Sequence, residues 1–249
     1  MMRAAFHAEL DELLTELARM VRLVGQMMIN ASISLHQTDL ALAELVIAQR
    51  EQLRGTLEYV DQRCVALLAL QAPVAGDLRV VVAALHVVGH VHRMASLARH
   101  IAIVVLLKNP SPMASGKVRP VLSRMCVLAS ELAEDAAAAI EQRDPLSGCR
   151  LAVVGDEVDA LLRHLFGILF AENWSGGVDQ AVGAALMGHY CERFGDHAVA
   201  IAWQVCYVTT GWKLGPTALE MVRAWSLTRH NDGAPWESAR QGAVTNGGS

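Results

Sequence analysis

Aromatic residues are scarce in this chain: four Phe, five Trp and three Tyr make up 5% of its 249 residues. A β-sandwich or barrel of that length would carry more of them, with more Thr on alternating faces, so the shortage argues against an all-β fold. An excess of one charge is also missing. Twenty-one Lys and Arg against 25 Asp and Glu leave a net charge of -4. No basic stripe marks a nucleic-acid groove, and no acidic tail marks a solvating arm. The five cysteines, Cys64, Cys126, Cys149, Cys191 and Cys206, include no C-x-x-C spacing. They read as reduced, mostly buried thiols of a cytoplasmic protein. Met1 to Asp11 holds no apolar signal core. The most apolar run, Ile101 to Leu107, is far below the ~20 residues of a membrane span, so the positive mean hydropathy points to buried helix surface rather than membrane insertion. Catalytic signatures are lacking too. There is no Gly-rich phosphate loop, no G-x-S-x-G, no H-E-x-x-H and no pair of Glu-x-x-His motifs of a di-metal bundle enzyme. The chain is therefore not expected to be an enzyme.

What is present is helical periodicity. Phe6, Leu10, Leu13, Leu14, Leu17, Met20, Val21, Val24, Met27 and Met28 recur every three or four residues, which predicts a first helix from Arg3 to Leu35. Thr38 or Asp39 caps a second, carrying Leu42, Leu45, Val46, Leu53, Leu57, Val60 and Cys64. It ends before Gln71-Ala72-Pro73, because Ala72 precedes a proline. A third starts near Pro73 or Val74 and runs to Lys108. Asn109 to Gly116, rich in Pro and Ser, breaks the chain. Further helices are expected at Val118–Glu141, Gly148–Phe170 and, after a turn at Asn173–Gly177, as far as Thr210. Residues 213–249 read as a largely disordered tail.

The two halves overlay without gaps. Val82, Ala84, Arg93, Ala98, Ile101 and Ala102 recur as Val182, Ala184, Arg193, Ala198, Ile201 and Ala202, each one hundred positions later. The expected fold is all-α, two pseudo-repeated three-helix bundles: residues 1–108, a linker 109–117, and residues 118–212. In the last helix Glu192 and Asp196 are four apart and share a face. Like charges there destabilise a lone helix, and they make sense beside a cation or an Arg. Asp156 and Asp159 give the preceding helix an acidic face. Four carboxylates converging between helices suit a hard or borderline cation. A solvated face balanced by Arg193 and Arg163 is the alternative.

Three stretches resemble the PhoU family: Phe6-His7-x-Glu9-Leu10-Asp11-x-Leu13, Leu68-Ala-Leu-Gln71-x-Pro73-Val-Ala-Gly-Asp77-Leu-Arg79-x-Val-Val-Ala-Ala84, and Glu192-Arg193-x-Gly195-Asp196-His197-Ala198-x-x-Ile201-Ala202. The resemblance implies two three-helix repeats and a negative regulator of phosphate uptake and phosphate-starvation genes. It implies contacts with the ABC phosphate transporter's ATPase and with a sensor histidine kinase, and a homodimer. It also implies a divalent or iron-type metal cluster in each repeat, with Arg93 and Arg193 supporting the ligands from behind. The first repeat departs from the pattern. Where the family reads Asp-Leu-Glu-Arg-x-Gly-Asp, this chain has His90-Val-His92-Arg93-Met94-Ala95-Ser96, and Arg50 and Arg54 replace the partner helix's acids. Arg has no lone pair to give, so no hard-cation cluster is expected there. In the second repeat Asp159, Glu192 and Asp196 persist, while Gly155 stands where an acid is common. Two further readings of the first repeat stay open: zinc or copper on His86, His90, His92 and His100, and anion capture by Arg50, Arg54, Arg93 and protonated histidines. Beside the regulatory reading stands a diverged helical scaffold, or a metal-binding bundle outside phosphate signalling.

Overall fold

The computed structural model describes residues 2–108 and 116–211. These residues form six helices and no strand: α1 (Met2–Gln37), α2 (Leu40–Gln71), α3 (Ala75–Lys108), α4 (Val118–Gln142), α5 (Ser147–Leu169) and α6 (Gly177–Thr210). The expected disordered tail, 213–249, lies outside the described residues, as does most of the expected linker.

Helix α1 is long because its apolar stripe never breaks. Leu13, Leu17, Met20, Val21, Val24, Met27 and Met28 are all essentially inaccessible. Asp39 closes the turn into α2: its Oδ1 accepts from the Leu42 amide at 3.0 Å, satisfying one of the orphan donors of a helix start. α2 buries a narrower stripe of Ala43, Val46, Leu53, Leu57, Val60, Cys64 and Leu67. Leu45, read as part of that stripe, is 47% exposed, because α2 is an outer helix with one buried face. Ala72 ends α2 in the left-handed region at φ 41°, and Ala75 opens α3 at φ 47°. The chain spends Pro73 and Val74 on this turn, so α3 starts later than its periodicity suggests.

Within each half every helix packs on the other two: α1, α2 and α3 together, and α4, α5 and α6 together. Between halves, α1 packs on α4 and α3 on α6, while α2 and α5 touch only helices of their own half. Both cross-half pairings are antiparallel. Arg22 of α1 reaches Glu134 and Glu141 of α4, while His36, at the far end of α1, meets Ser123 near the start of α4. On α3 and α6, His90 meets His197, and the His100 ring lies tilted against Tyr190 with centroids 5.3 Å apart. Four of the six pairs that overlay between halves are buried in this centre: Ala84 and Ala184, Ala98 and Ala198, Ile101 and Ile201, Ala102 and Ala202; Val182, Arg93 and Arg193 are exposed. By length and composition, α3 over Ala75–Leu107 is apolar enough to cross a membrane, well beyond the short run expected from sequence. α1, α2 and α6 all pack on it, and Val81, Ala84, Val87, Val91, Met94, Ala98 and Ile101 are buried there, while Leu78 and Leu107 are exposed.

Replacing Asp39 by Ala removes the α2 cap and should lower the unfolding free energy by about 1 kcal/mol. Urea denaturation followed by far-UV circular dichroism measures it, and an unchanged midpoint would show that the cap contributes nothing.

Candidate functional site

The groove between α5 and α6 gathers acidic side chains. α5 presents Asp159 next to Val158, which is buried, and α6 presents Glu192 and Asp196 around the buried Phe194 and Gly195. Gly195 gives α6 room against α4: a Cβ there would crowd Leu132 Cδ1 at 3.2 Å, whereas Val158 Cγ2 of α5 would stand in ordinary contact at 4.0 Å. One carboxylate oxygen each from Asp159, Glu192 and Asp196 lies within 4.8 Å of the others. Asp156, one turn earlier on α5, is exposed and stands outside this trio. Gly155, in the place of an expected acid, faces α6 with a virtual Cβ 3.4 Å from Val199 Cγ2.

The electrostatics of the trio are unbalanced toward the negative. Partial burial and the neighbouring Asp196 push the Asp159 carboxyl above its ordinary range, with Arg163 pulling the other way. Burial and Asp196 likewise raise Glu192, against His189 and Arg193. Arg193 Nη1 donates to Asp196 Oδ2 at 3.2 Å, so Arg193 steadies one acid of the trio. Glu192 Oε2 is buried without a hydrogen bond. His189 Nδ1 is 3.2 Å away from it but off the hydrogen-bond axis. A buried carboxylate oxygen with no donor, beside two further carboxylates, fits a hard or borderline cation, which would supply the missing positive charge.

The matching place in the first half is built differently. Arg50 Nη2 lies 3.1 Å from His92 Nε2. Guanidinium can only donate, so His92 accepts there and is neutral, with its proton on Nδ1. Burial, then Arg50 and Arg93, hold the His92 pKa below its ordinary value. Arg50 also contacts Glu51 at 3.2 Å, and Arg54 lies along its own helix by Glu51 and Glu58. Ser96 Oγ donates to the His92 carbonyl at 2.9 Å. These residues therefore do not form a cage of free cations around an anion, and the protonated histidines that reading requires are disfavoured. Nor do the four histidines of α3 converge on zinc or copper. His90 Nδ1 faces His197 Nδ1 at 3.1 Å, His92 faces Arg50, His100 faces Tyr190, and His86 is exposed. Among the described residues, the acid trio is the one group of three or more potential metal ligands. Arg93 shows no ligand to steady. Its charge, with that of Arg193, bears on His197, whose pKa falls to about 4 chiefly through burial and His90. Nothing in the sequence pattern pointed to the His90–His197 contact, which joins residues of different halves.

The PhoU domain family matches residues 17–105 and 122–205, one stretch in each half. The chain belongs to this family. It is 38% identical to phosphate-specific transport system accessory protein PhoU homolog 1 of Mycobacterium leprae, over 84% of this chain and 95% of that protein. It is also 38% identical to PhoU homolog 2 of Mycobacterium tuberculosis, over 84% of this chain and 99% of that one. Two crystal structures share the fold. The regulatory protein PhoU of Streptococcus pneumoniae has a TM-score of 0.74 at 24% identity, covering 84% of this chain and 99% of its own. PhoU of Pseudomonas aeruginosa has a TM-score of 0.75 at 23% identity, covering 83% of this chain and 100% of its own. The PhoU fold thus places the acid trio and the Arg50–His92 pair at corresponding helix junctions of its two repeats.

The raised carboxyls predict a pH-dependent stability. A folded-state pKa above the unfolded value contributes stability that is present below the unfolded value and is lost as pH rises through the folded one. Metal-free protein carrying Asp159→Asn and Glu192→Gln should therefore melt at a higher temperature than the parent at neutral pH. The gap should close as pH falls toward ordinary carboxyl values. Calorimetry in chelator from acid to neutral pH reads this directly, and a lower melting temperature for the double variant at neutral pH would refute it.

Proposed function

We propose that this chain is a negative regulator of phosphate uptake and phosphate-starvation signalling in the cytoplasm. It acts by contact with the ATPase of the ABC phosphate transporter and with a sensor histidine kinase, as a homodimer and without chemistry of its own. The observation that carries this reading is membership of the PhoU family, with 38% identity over 84% of the chain to relatives named as phosphate transport accessory proteins. Long helices joined by short turns suit a protein that presents rigid surfaces to partners.

In this reading Asp159, Glu192 and Asp196 hold a divalent or iron-type metal in the second repeat. The metal supplies positive charge that draws three carboxylates together and ties α5 to α6. Arg193 orients Asp196 for that purpose. Asp156 is not among the three carboxylates that lie within 4.8 Å of one another, and its role in the reading is reduced to the acidity of the approach. The first repeat holds no metal of this kind, since Arg50 and His92 satisfy each other. That observation also favours a second reading, a scaffold that has left phosphate signalling while keeping the fold.

The two readings separate in a host that lacks its own PhoU-like gene. Expression of the chain at high phosphate should restore repression of secreted alkaline phosphatase, and Glu192→Ala/Asp196→Ala should weaken that repression. Persistent alkaline phosphatase secretion from cells containing soluble, helical protein would favour the scaffold.

A further inference from the structure

Cys126 on α4 and Cys191 on α6 meet inside the core of the second half. They are 2% and 0% exposed, and their sulfurs lie 3.1 Å apart. Packing alone does not call for sulfur here: one hundred positions earlier than Cys191, the first half fills the equivalent buried place with Val91. The sulfur pair thus belongs to the half that keeps its acids, and Cys191 directly precedes Glu192. Buried glycines stand one turn to either side of Cys191. A Cβ on Gly195 would come 3.2 Å from Leu132 Cδ1 of α4, and one on Gly188 would come 3.9 Å from Leu122 Cδ2 of α4. Side chains of α4 thus reach the α6 backbone on both sides of Cys191. A disulfide needs its sulfurs at about 2.05 Å, and the 3.1 Å separation leaves a gap that side-chain rotation can close.

We propose that Cys126 and Cys191 are a redox pair that closes reversibly to a disulfide under peroxide, stapling α4 to α6 beside the acid trio. The Cys126 thiolate attacks one peroxide oxygen, and the O–O bond breaks. Cys126 becomes a sulfenic acid, and the leaving hydroxide takes up the proton that Cys126 gave, forming water. The Cys191 sulfur then attacks the sulfenic sulfur. The S–S bond forms, the S–O bond breaks, and the leaving hydroxide takes the Cys191 proton as a second water. Two electrons pass from the dithiol to peroxide: two thiols and one hydrogen peroxide become one disulfide and two waters. A reducing dithiol reverses the step by exchange. Each sulfur has the other as its neighbour at 3.1 Å, so a sulfenic acid formed on Cys126 has its resolving thiol at hand. Burial makes access the slow step, so oxidation follows the opening of α4 from α6. Cys206 is engaged elsewhere, donating to the Pro145 carbonyl at 3.0 Å. The pair does not depend on the phosphate reading or on bound metal.

The test uses the full chain. Protein is held with hydrogen peroxide for as long as the slowest amides of α4 and α6 take to exchange with solvent. It is then denatured, alkylated, digested and weighed by mass spectrometry. The expected product joins the Cys126 and Cys191 peptides, lighter by two hydrogen atoms and separable by dithiothreitol, with Cys64, Cys149 and Cys206 alkylated. In Cys191→Ala, dimedone should instead trap a sulfenic acid on Cys126. If both thiols of the parent chain still alkylate after that exposure, or appear as separate sulfinic acids, or join other cysteines, the pair is packing alone and the proposal is overturned.

Discussion

The antiparallel seam in which α1 lies on α4 and α3 on α6 is the constraint on which the rest depends. It is built from small and apolar residues repeated between halves: Ala84 with Ala184, Ala98 with Ala198 and Ala102 with Ala202, all buried. Small side chains let helix backbones approach, and apolar burial at roughly 25 cal/mol per Å² drives the association. Once this seam is set, α2 and α5 have one groove each to occupy, and the position of each outer helix follows. The candidate sites lie where an outer helix meets α3 or α6, so their geometry is inherited from the seam.

On that shared frame the two halves solve the same electrostatic problem in different ways. In the second half, three carboxylates approach within 4.8 Å and one oxygen is left without a donor. Such an arrangement gains from a cation and loses without one. In the first half a donor-only guanidinium meets an imidazole nitrogen at 3.1 Å. Here the polar groups satisfy each other, and no ion is called for. Arg50 and His92 are therefore a self-satisfying pair: a donor on one helix and an acceptor on its neighbour keep a partly buried junction free of unmet polar groups.

The helical order was legible from apolar spacing, because each long stripe reports directly on burial. The α1 stripe from Phe6 to Met28 is buried almost throughout, with Leu14 partly so. Capping chemistry also read through: Asp39 stands where a cap was expected and makes the bond. Periodicity failed where one face of an outer helix is only partly covered, so Leu45 was placed inside and lies exposed. The acid trio was half legible. Spacing put Glu192 and Asp196 on one face, yet it could not tell which of Asp156 and Asp159 turns toward them, since both lie on α5 within one turn. Contacts between residues far apart in the chain were not legible at all. His90 with His197 across the two halves, and Cys126 with Cys191 within the second, join residues 107 and 65 positions apart, and no local pattern announces such a pair.

The central claim is that the two repeats have become unequal, with cation binding surviving in the second alone. Metal content after equilibrium dialysis against manganese, zinc or ferrous iron, read by mass spectrometry for the parent chain and for Asp159→Asn/Glu192→Gln/Asp196→Asn, tests it most directly. The account predicts bound metal in the parent and none above background in the triple variant, with both proteins folded. Metal retained in full by the triple variant, or a parent that takes up none under any of these ions, would contradict it.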